Sequence, residues 1–523
     1  MKVALVNNDR QLKIVDASEL ELTQTFIRFT KRIKNAWFHP LVKKRLWDGN
    51  IAFIDSNLRI SAGLWNELNA MCDEYSFDLE VDGIERLTNP DFNEDEFNSW
   101  VEKFFVGSEI QPRDYQTDAA MKILKWKRSI SEIATSAGKT LIMFMVFAYL
   151  RDKGVIGPQY DKDGNKLQYK DSFLIIVPNV SLVLQTYEKF VEYNTFKKDF
   201  KFNIQTFGGG ASKVRKNVDV IIGTFQTLRD LPDEYFETVK VIACDESHFA
   251  STKSVKLTLK KCLNASYRFG VSGTTKATKG ETAESFTMQS LLGPIVNKIS
   301  AGFLFKNDFA TPLKIRMVYM DYLDPAIRAD LKRLKSRKKD YDGSKLLSIE
   351  KQIIIENPKR MEFILEAISS VKKNSLVLFH NVKDGYGKHI RDGLIERVSN
   401  KVAVHYVDGN TDKDIRTEYR HDMDRTDRRT IMVASYGTFS TGIDIKNIEY
   451  VFLLESFKSE VIIKQSFGRG MRLMDGKVIV QIIDFIDDFS LPGYENYVLK
   501  HSQERELLYE AEGYDYKKLR VKL

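Results

Sequence analysis

Glu132-Ile133-Ala134-Thr135-Ser136-Ala137-Gly138-Lys139-Thr140 is the stretch on which the fold turns. A short strand pattern precedes it, and the apolar run Leu141–Leu150 that follows opens a buried helix. A strand, a loop ending in Gly-Lys-Thr and a helix form the setting in which backbone N–H groups cradle phosphates at a helix N-terminus. Lys139 is placed to bridge the outer phosphate oxygens and Thr140 to hold a divalent cation. The first glycine of G-x-x-x-x-G-K-[ST] is absent, with Ile133 in its place. Taken alone, the segment also reads as an ordinary helix start.

Outward from this loop, short apolar runs alternate with helical patterns: Phe173–Val177, Val218–Ile222, Val239–Cys244 and Tyr267–Ser272. Runs of this length between helices predict buried parallel strands joined by crossovers. Val241-Ile242-Ala243-Cys244-Asp245-Glu246-Ser247-His248 ends one of them. Carboxylates at the C-terminal end of a strand lie at the ligand crevice of an open α/β sheet. Asp245 suits cation coordination and Glu246 suits orienting or deprotonating a water, although both could simply cap the next helix. After about residue 310 the alternation restarts with Ser375–Phe379, Val402–Val407, Thr430–Ala434, Tyr450–Glu455 and Val478–Asp484. Two such blocks predict an α/β protein with two tandem doubly wound parallel-sheet domains, 106–308 and 309–523. A small α+β module, 1–105, precedes them. In it Val3–Val6 and Leu12–Val15 read as strands, Ser18 as a helix cap, Trp47-Asp48-Gly49-Asn50 as a turn and Leu64–Tyr75 as a helix. Trp47 reads as a core anchor, with a DNA wedge as the other reading. The basic segment 328–339 reads as a solvated helix or a clamp on a duplex arm, and the tail from Glu495 as a terminal helix.

The 523 residues include 80 Lys+Arg against 72 Asp+Glu, a formal charge of +8. Apolar content of 43% and charged content of 29% exclude wholesale disorder. The mild positive balance permits an anionic partner, but only clustering would make a usable field. Three scattered cysteines, Cys72, Cys244 and Cys262, form neither a disulfide framework nor a zinc knuckle and point to a reducing compartment. Polar Asn7-Asn8-Asp9-Arg10 interrupts the N-terminus too early for a signal-peptide core, and Leu141–Leu150 is about half a membrane span. A soluble cytoplasmic protein is expected.

In order and type, these motifs resemble those of the superfamily 2 helicases of the D-E-x-H class. The resemblance implies two RecA-like domains and ATP with Mg²⁺ as cofactors. Arg113-Asp114-Tyr115-Gln116 looks like the adenine-reading segment, in which Arg113 and Gln116 meet the nucleotide beside Thr135, Ser136, Ala137, Gly138, Lys139 and Thr140. Gln465-Ser466-Phe467-Gly468-Arg469-Gly470-Met471-Arg472 matches Q-x-x-G-R-x-x-R, which would make Arg469 and Arg472 arginine fingers beside Gln465. Gly442 and Asp444 close a segment that resembles the motif touching both nucleotide and nucleic acid. Asn179, Gly209, Lys213, Thr224, Gln226, His380, Asn381 and Thr438 fall where the family grips nucleic acid. His248, Ser272 and Thr274 fall where it couples the two sites, with Ser272-Gly273-Thr274 standing for the commoner Ser-Ala-Thr. Narrower likenesses are Trp47-Asp48-Gly49, Gly208-Gly209-Gly210-Ala211-Ser212-Lys213, Ser435-Tyr436-Gly437 and Leu499-Lys500-His501, which resemble the UvsW-type DNA helicases of tailed phages. That resemblance implies ATP-driven remodelling of branched DNA in recombination, replication and repair, with phage recombination proteins as partners and the host cytoplasm as location. An RNA helicase, a restriction-type motor subunit and an inactive nucleic-acid-binding scaffold are the competing readings.

Overall fold

The computed structural model describes residues 1–523 except 197–198, 209–214, 216, 274–281, 323–324, 326, 328, 330–332, 334–342, 381, 383–384, 426, 441–444, 456–462, 465, 469–473, 475–476, 491 and 493–494. Backbone contacts group Met1–Ile133 with Gly138–Ile299, and Ala134–Ala137 with Ser300–Leu523.

In the first unit, Lys2–Val6 and Gln11–Asp16 form an antiparallel hairpin. Its turn residues Asn7, Asn8 and Asp9 all have φ between 53° and 59°, a region that Asn and Asp tolerate through local hydrogen bonding. Arg59–Ser61 extends the hairpin on one side and Glu80–Asp82 on the other. Val3, Leu5, Leu12 and Ile14 alternate inward onto Phe29, Leu68 and Met71. Ser18 caps helix Glu19–Arg28 in a reciprocal capping box with Glu21. Phe286, from helix Ala283–Leu292, belongs to the same cluster, so this small sheet shares its core with the larger one.

Among the described residues, the main sheet of this unit runs Ile204–Phe207, Val220–Thr224, Lys166–Val177, Val239–Asp245, Tyr267–Ser272, Arg128–Ile133, Ile295–Ile299, all parallel, with the short strand Gly157–Tyr160 added antiparallel to the start of Lys166–Val177. Arg128–Ile133 and Val220–Thr224 are buried along their whole length, as expected of a sheet covered on both faces. Helix Lys139–Asp152 is buried from Leu141 to Leu150. Phe144 and Phe147 pack among Phe190, Phe200 and Phe202, which explains why this helix is apolar all round. No described helix is long and apolar enough to cross a membrane.

The second unit holds a sheet in the order Ala403–Val407, Thr430–Ser435, Ser375–Phe379, Tyr450–Leu453, Val480–Asp488, Leu313–Asp321, Asp515–Lys522, again parallel throughout its described residues. The two parallel sheets flanked by helices form the RecA-like architecture, with the small N-terminal α+β region before them. Two buried ion pairs brace the second core. Arg360 meets Asp487, and Arg505 donates to both oxygens of Asp484 at 3.0 and 2.6 Å, with the Tyr509 hydroxyl adding a bond at 2.9 Å.

The C-terminus departs from the expected terminal helix. Helix Tyr497–Glu512 stops at Gly513, whose φ is 72°. Gly513 N–H bonds the Glu510 carbonyl and Tyr514 N–H the Tyr509 carbonyl, a Schellman ending. The chain then adds Asp515–Lys522 as an edge strand beside Leu313–Asp321. Its Lys- and Arg-rich sequence hid it, because a solvated edge carries charge where a central strand carries Val and Ile. The basic segment 328–339 lies outside the described residues apart from 329 and 333.

Candidate active site

Three neighbouring strand ends build the site. Parallel register sets Ser272 opposite Glu132 and Asp245 opposite Val271, so the C-terminal ends of Arg128–Ile133, Tyr267–Ser272 and Val239–Asp245 come level. From the first of these the chain enters the Gly-Lys-Thr loop. Ser136 and Gly138 take positive φ, 71° and 84°, and helix Lys139–Asp152 begins directly after. A Cβ at Gly138 would stand 2.2 Å from Gln116 Nε2, so a side chain there would have to displace that amide as well as adopt the left-handed backbone. The Gln116 carbonyl oxygen in turn accepts the Arg113 backbone N–H at 2.9 Å, so the amide is held against the loop from a helix start.

Lys139 Nζ donates to Glu246 Oε1 at 2.7 Å and lies 3.9 Å from Asp245 Oδ1. Glu246 is left-handed (φ 52°, ψ 54°), its N–H bonding Asp245 Oδ1 at 3.0 Å. A non-glycine residue there costs about 1–2 kcal/mol, and such strain clusters at functional sites. Burial pushes the Asp245 carboxyl up from its usual range, and the Glu246 charge adds to that against the pull of Lys139. Burial would raise Glu246 too, but the closer Lys139 ammonium and His248 outweigh it and hold its carboxyl below the ordinary value. Behind the pair, Ser272 Oγ lies 3.0 Å from His248 Nδ1 and donates to Glu246 Oε2 at 3.3 Å. His248 Nδ1 is also 3.3 Å from that oxygen.

The donor set fits a magnesium nucleotide. Thr140 stands on the first turn of a 14-residue helix and Asp245 ends a buried strand. No group of three or more His, Cys, Asp or Glu among the described residues forms a metal cage.

The expected nucleic-acid contacts also sit at strand ends. Asn179 caps helix Val180–Tyr193, its oxygen taking the Leu182 N–H at 3.0 Å. Thr224 caps helix Phe225–Arg229 and pairs with the Thr227 hydroxyl at 3.0 Å, while Gln226 is exposed on that helix. The second unit repeats the device: Ser435 Oγ and Thr438 Oγ1 are 2.8 Å apart across a strand-to-helix turn. Sequence reasoning named Thr224 and Thr438 but missed Thr227 and Ser435, whose only signal was Ser/Thr spacing of three. His380 is exposed, and its N–H is held by the Glu455 carboxylate. Gly209, Lys213, Thr274, Asn381, Gly442, Asp444, Gln465, Arg469 and Arg472 lie outside the described residues.

Trp47 is half-buried, its indole N–H bonding the Asn50 carbonyl at 2.9 Å. The aromatic residues that reach solvent nearby are Trp37 and Phe38, 56% and 66% exposed. Nothing in the sequence pattern singled them out.

Comparison with known proteins shows the family. Residues 109–277 match the family described as the res subunit of type III restriction enzymes, and 359–474 match the helicase conserved C-terminal domain. A solved structure of S. cerevisiae Dbp5 bound to RNA and ADP BeF3 shares the fold, with TM-score 0.52 and 15% identity over 82% of this chain and 95% of that one. The DNA 3'-5' translocase XPB2 of Sulfurisphaera tokodaii is 21% identical over 404 residues, 72% of this chain and 82% of its own. The ATP-dependent DNA helicase UvsW of Enterobacteria phage T4 is 30% identical over 499 residues, 92% of this chain and 91% of its own. Likeness at that level across nearly the whole of both chains shows the family, and this chain belongs to the UvsW-type ATP-dependent DNA helicases.

Proposed function

We propose that this helicase remodels branched DNA, driving branch migration, fork regression and the unwinding of R-loops or D-loops, in recombination, replication and repair. One observation carries the preference for branch points. Between strands Thr30–Arg32 and Asn50–Ala52 the connecting segment exposes Trp37, Phe38, Leu41 and Leu46. The same stretch exposes Arg32, Lys34, Lys43, Lys44 and Arg45 against a single acid, Asp48. Cations suit the phosphates flanking a junction, and flat apolar groups suit an unstacked base step. Phosphate contacts carry no sequence information, so the enzyme should show little sequence preference and a steep salt dependence.

In this reading the chain divides into a DNA-contacting module, 1–105, and two motor domains, 106–308 and 309–523. Lys139, which meets Glu246 here, would bind phosphate oxygens of the nucleotide, Thr140 and Asp245 would hold Mg²⁺, which would offset phosphate charge, and Glu246 would orient the attacking water. Arg113, Gln116 and residues 135–138 contact the nucleotide, joined by Gly442 and Asp444. Gln465, Arg469 and Arg472 act on the γ-phosphate. Asn179, Gly209, Lys213, Thr224, Gln226, His380, Asn381 and Thr438 hold DNA, and His248, Ser272 and Thr274 couple the two activities. The enzyme works in the host cytoplasm beside phage recombination proteins.

The test compares ATPase stimulation by forked DNA, single-stranded DNA and RNA for the wild type and for Trp37→Ala with Phe38→Ala. Forked DNA should stimulate most, and the double variant should lose that advantage while keeping its response to single-stranded DNA. Equal stimulation by all three ligands, or an unchanged fork preference in the variant, would overturn the reading.

A further inference from the structure

The second sheet carries a feature at the edge opposite His380, Ser435 and Thr438. Where strands Ser375–Phe379, Thr430–Ser435 and Tyr450–Leu453 begin, the residues before them, with Met474 and Lys477, line a basin of about 340 Å³ that is open to solvent. Its wall presents Lys372, Lys373, Arg425, Arg428, Arg429 and Lys477 against one acid, Glu449.

Carboxylates answer only part of this charge. Lys373 pairs with Glu449 at 3.0 Å, Arg425 Nε donates to Asp427 at 2.9 Å, and Arg428 pairs with Asp422. Arg429 instead spends its two terminal nitrogens on the Ser369 and Ile368 carbonyls at 3.2 and 2.9 Å. Its Nε is buried and has no hydrogen-bond partner among the described residues. Lys477 Nζ likewise donates to a carbonyl, that of Lys446, at 2.8 Å. Carbonyl partners leave a cation's formal charge in place. Among the described residues, Glu449, Asp427 and Asp422 answer Lys373, Arg425 and Arg428, while Lys372 and Arg429 bring two further cations to a space too large for one small ion. Guanidinium forks match phosphate geometry better than that of a point anion.

We propose that this basin binds a phosphate-bearing anion, at a place separate from the Gly-Lys-Thr loop and from the strand-end hydroxyls. The phosphates could belong to the backbone of a DNA arm or to a free polyphosphate; the chemistry is shared, and the experiment separates the sources. The charge and shape of the basin carry this inference, which does not depend on the branch-point reading.

Lys372 and Arg425 are both exposed, so Lys372→Ala with Arg425→Ala should fold. Tripolyphosphate binding is measured by calorimetry in a Lys139→Ala background, which disables the nucleotide loop. Affinity for forked DNA is measured as a salt titration in the otherwise wild-type chain. If the ligand is free polyphosphate, the double variant loses about tenfold in tripolyphosphate affinity with its DNA salt slope unchanged. If it is DNA backbone, the slope of log K against log salt falls by about 2 in magnitude. An unfolding midpoint matching the parent protein guards both readings. Tripolyphosphate affinity and salt slope both unchanged in a folded variant would overturn the proposal.

Discussion

Ser272→Ala probes how the hydrolytic site communicates. The Ser272 hydroxyl stands 3.0 Å from His248 Nδ1 and donates to Glu246 Oε2 at 3.3 Å, at a fully buried position. A hydrogen bond to a charged acceptor contributes about 1.5–3 kcal/mol. At 3.3 Å, and with His248 still near the same oxygen, the low end applies, which is roughly a tenfold change in rate. Lys139 keeps its 2.7 Å bond to Glu246 in this variant, so KM for ATP should stay within about twofold. DNA-stimulated kcat should fall by about tenfold, and strand displacement by at least as much. His248→Ala should do the same, and the double variant should be little worse than either single one, with a coupling energy of about 1 kcal/mol in steady-state ATPase and displacement assays. If the two substitutions multiply independently, or if KM rises while kcat holds, the Ser272–His248–Glu246 chain does not transmit anything and the reasoning fails.

Two glycines test left-handed strain with and without a steric neighbour. Gly513→Ala meets nothing within 4 Å, so it should lower unfolding stability by only the conformational cost, about 1–2 kcal/mol, in urea denaturation. Gly138→Ala adds a clash with Gln116 and should raise KM for ATP at least about tenfold; a KM equal to wild type would show that the loop relaxes freely. Arg505→Met strands the buried Asp484 charge and should lose about 3–5 kcal/mol, whereas a loss under about 1 kcal/mol would mean that Asp484 simply takes up a proton.

Why the motor was legible and its margins were not follows from burial. Phe173–Val177, Val239–Cys244 and Ser375–Phe379 are covered on both faces, so they are written almost entirely in apolar residues, Lys240 and Ser375 excepted. Ile204–Phe207, Ile295–Ile299 and Asp515–Lys522 lie at sheet edges, where half-exposure lets Gln, Asn and Lys intrude and the pattern dissolves. The same asymmetry governs the site. Lys139, Asp245 and Glu246 could be named because their chemistry admits few alternatives at strand ends. Their pairing with each other could not, since it depends on Glu246 turning left-handed after the strand. Thr227 and Ser435 look like any helix cap, and Trp37 and Phe38 look like any core aromatic. What separates them from those defaults is position alone: a hydroxyl pair at a strand end that a second sheet repeats, and two rings left in solvent in a stretch rich in exposed cations. Residues whose role rests on reactive chemistry are thus readable from the sequence. Residues that work by being placed where water or a ligand can reach them become readable only once the chain is folded, and in this protein those are the residues that would meet DNA.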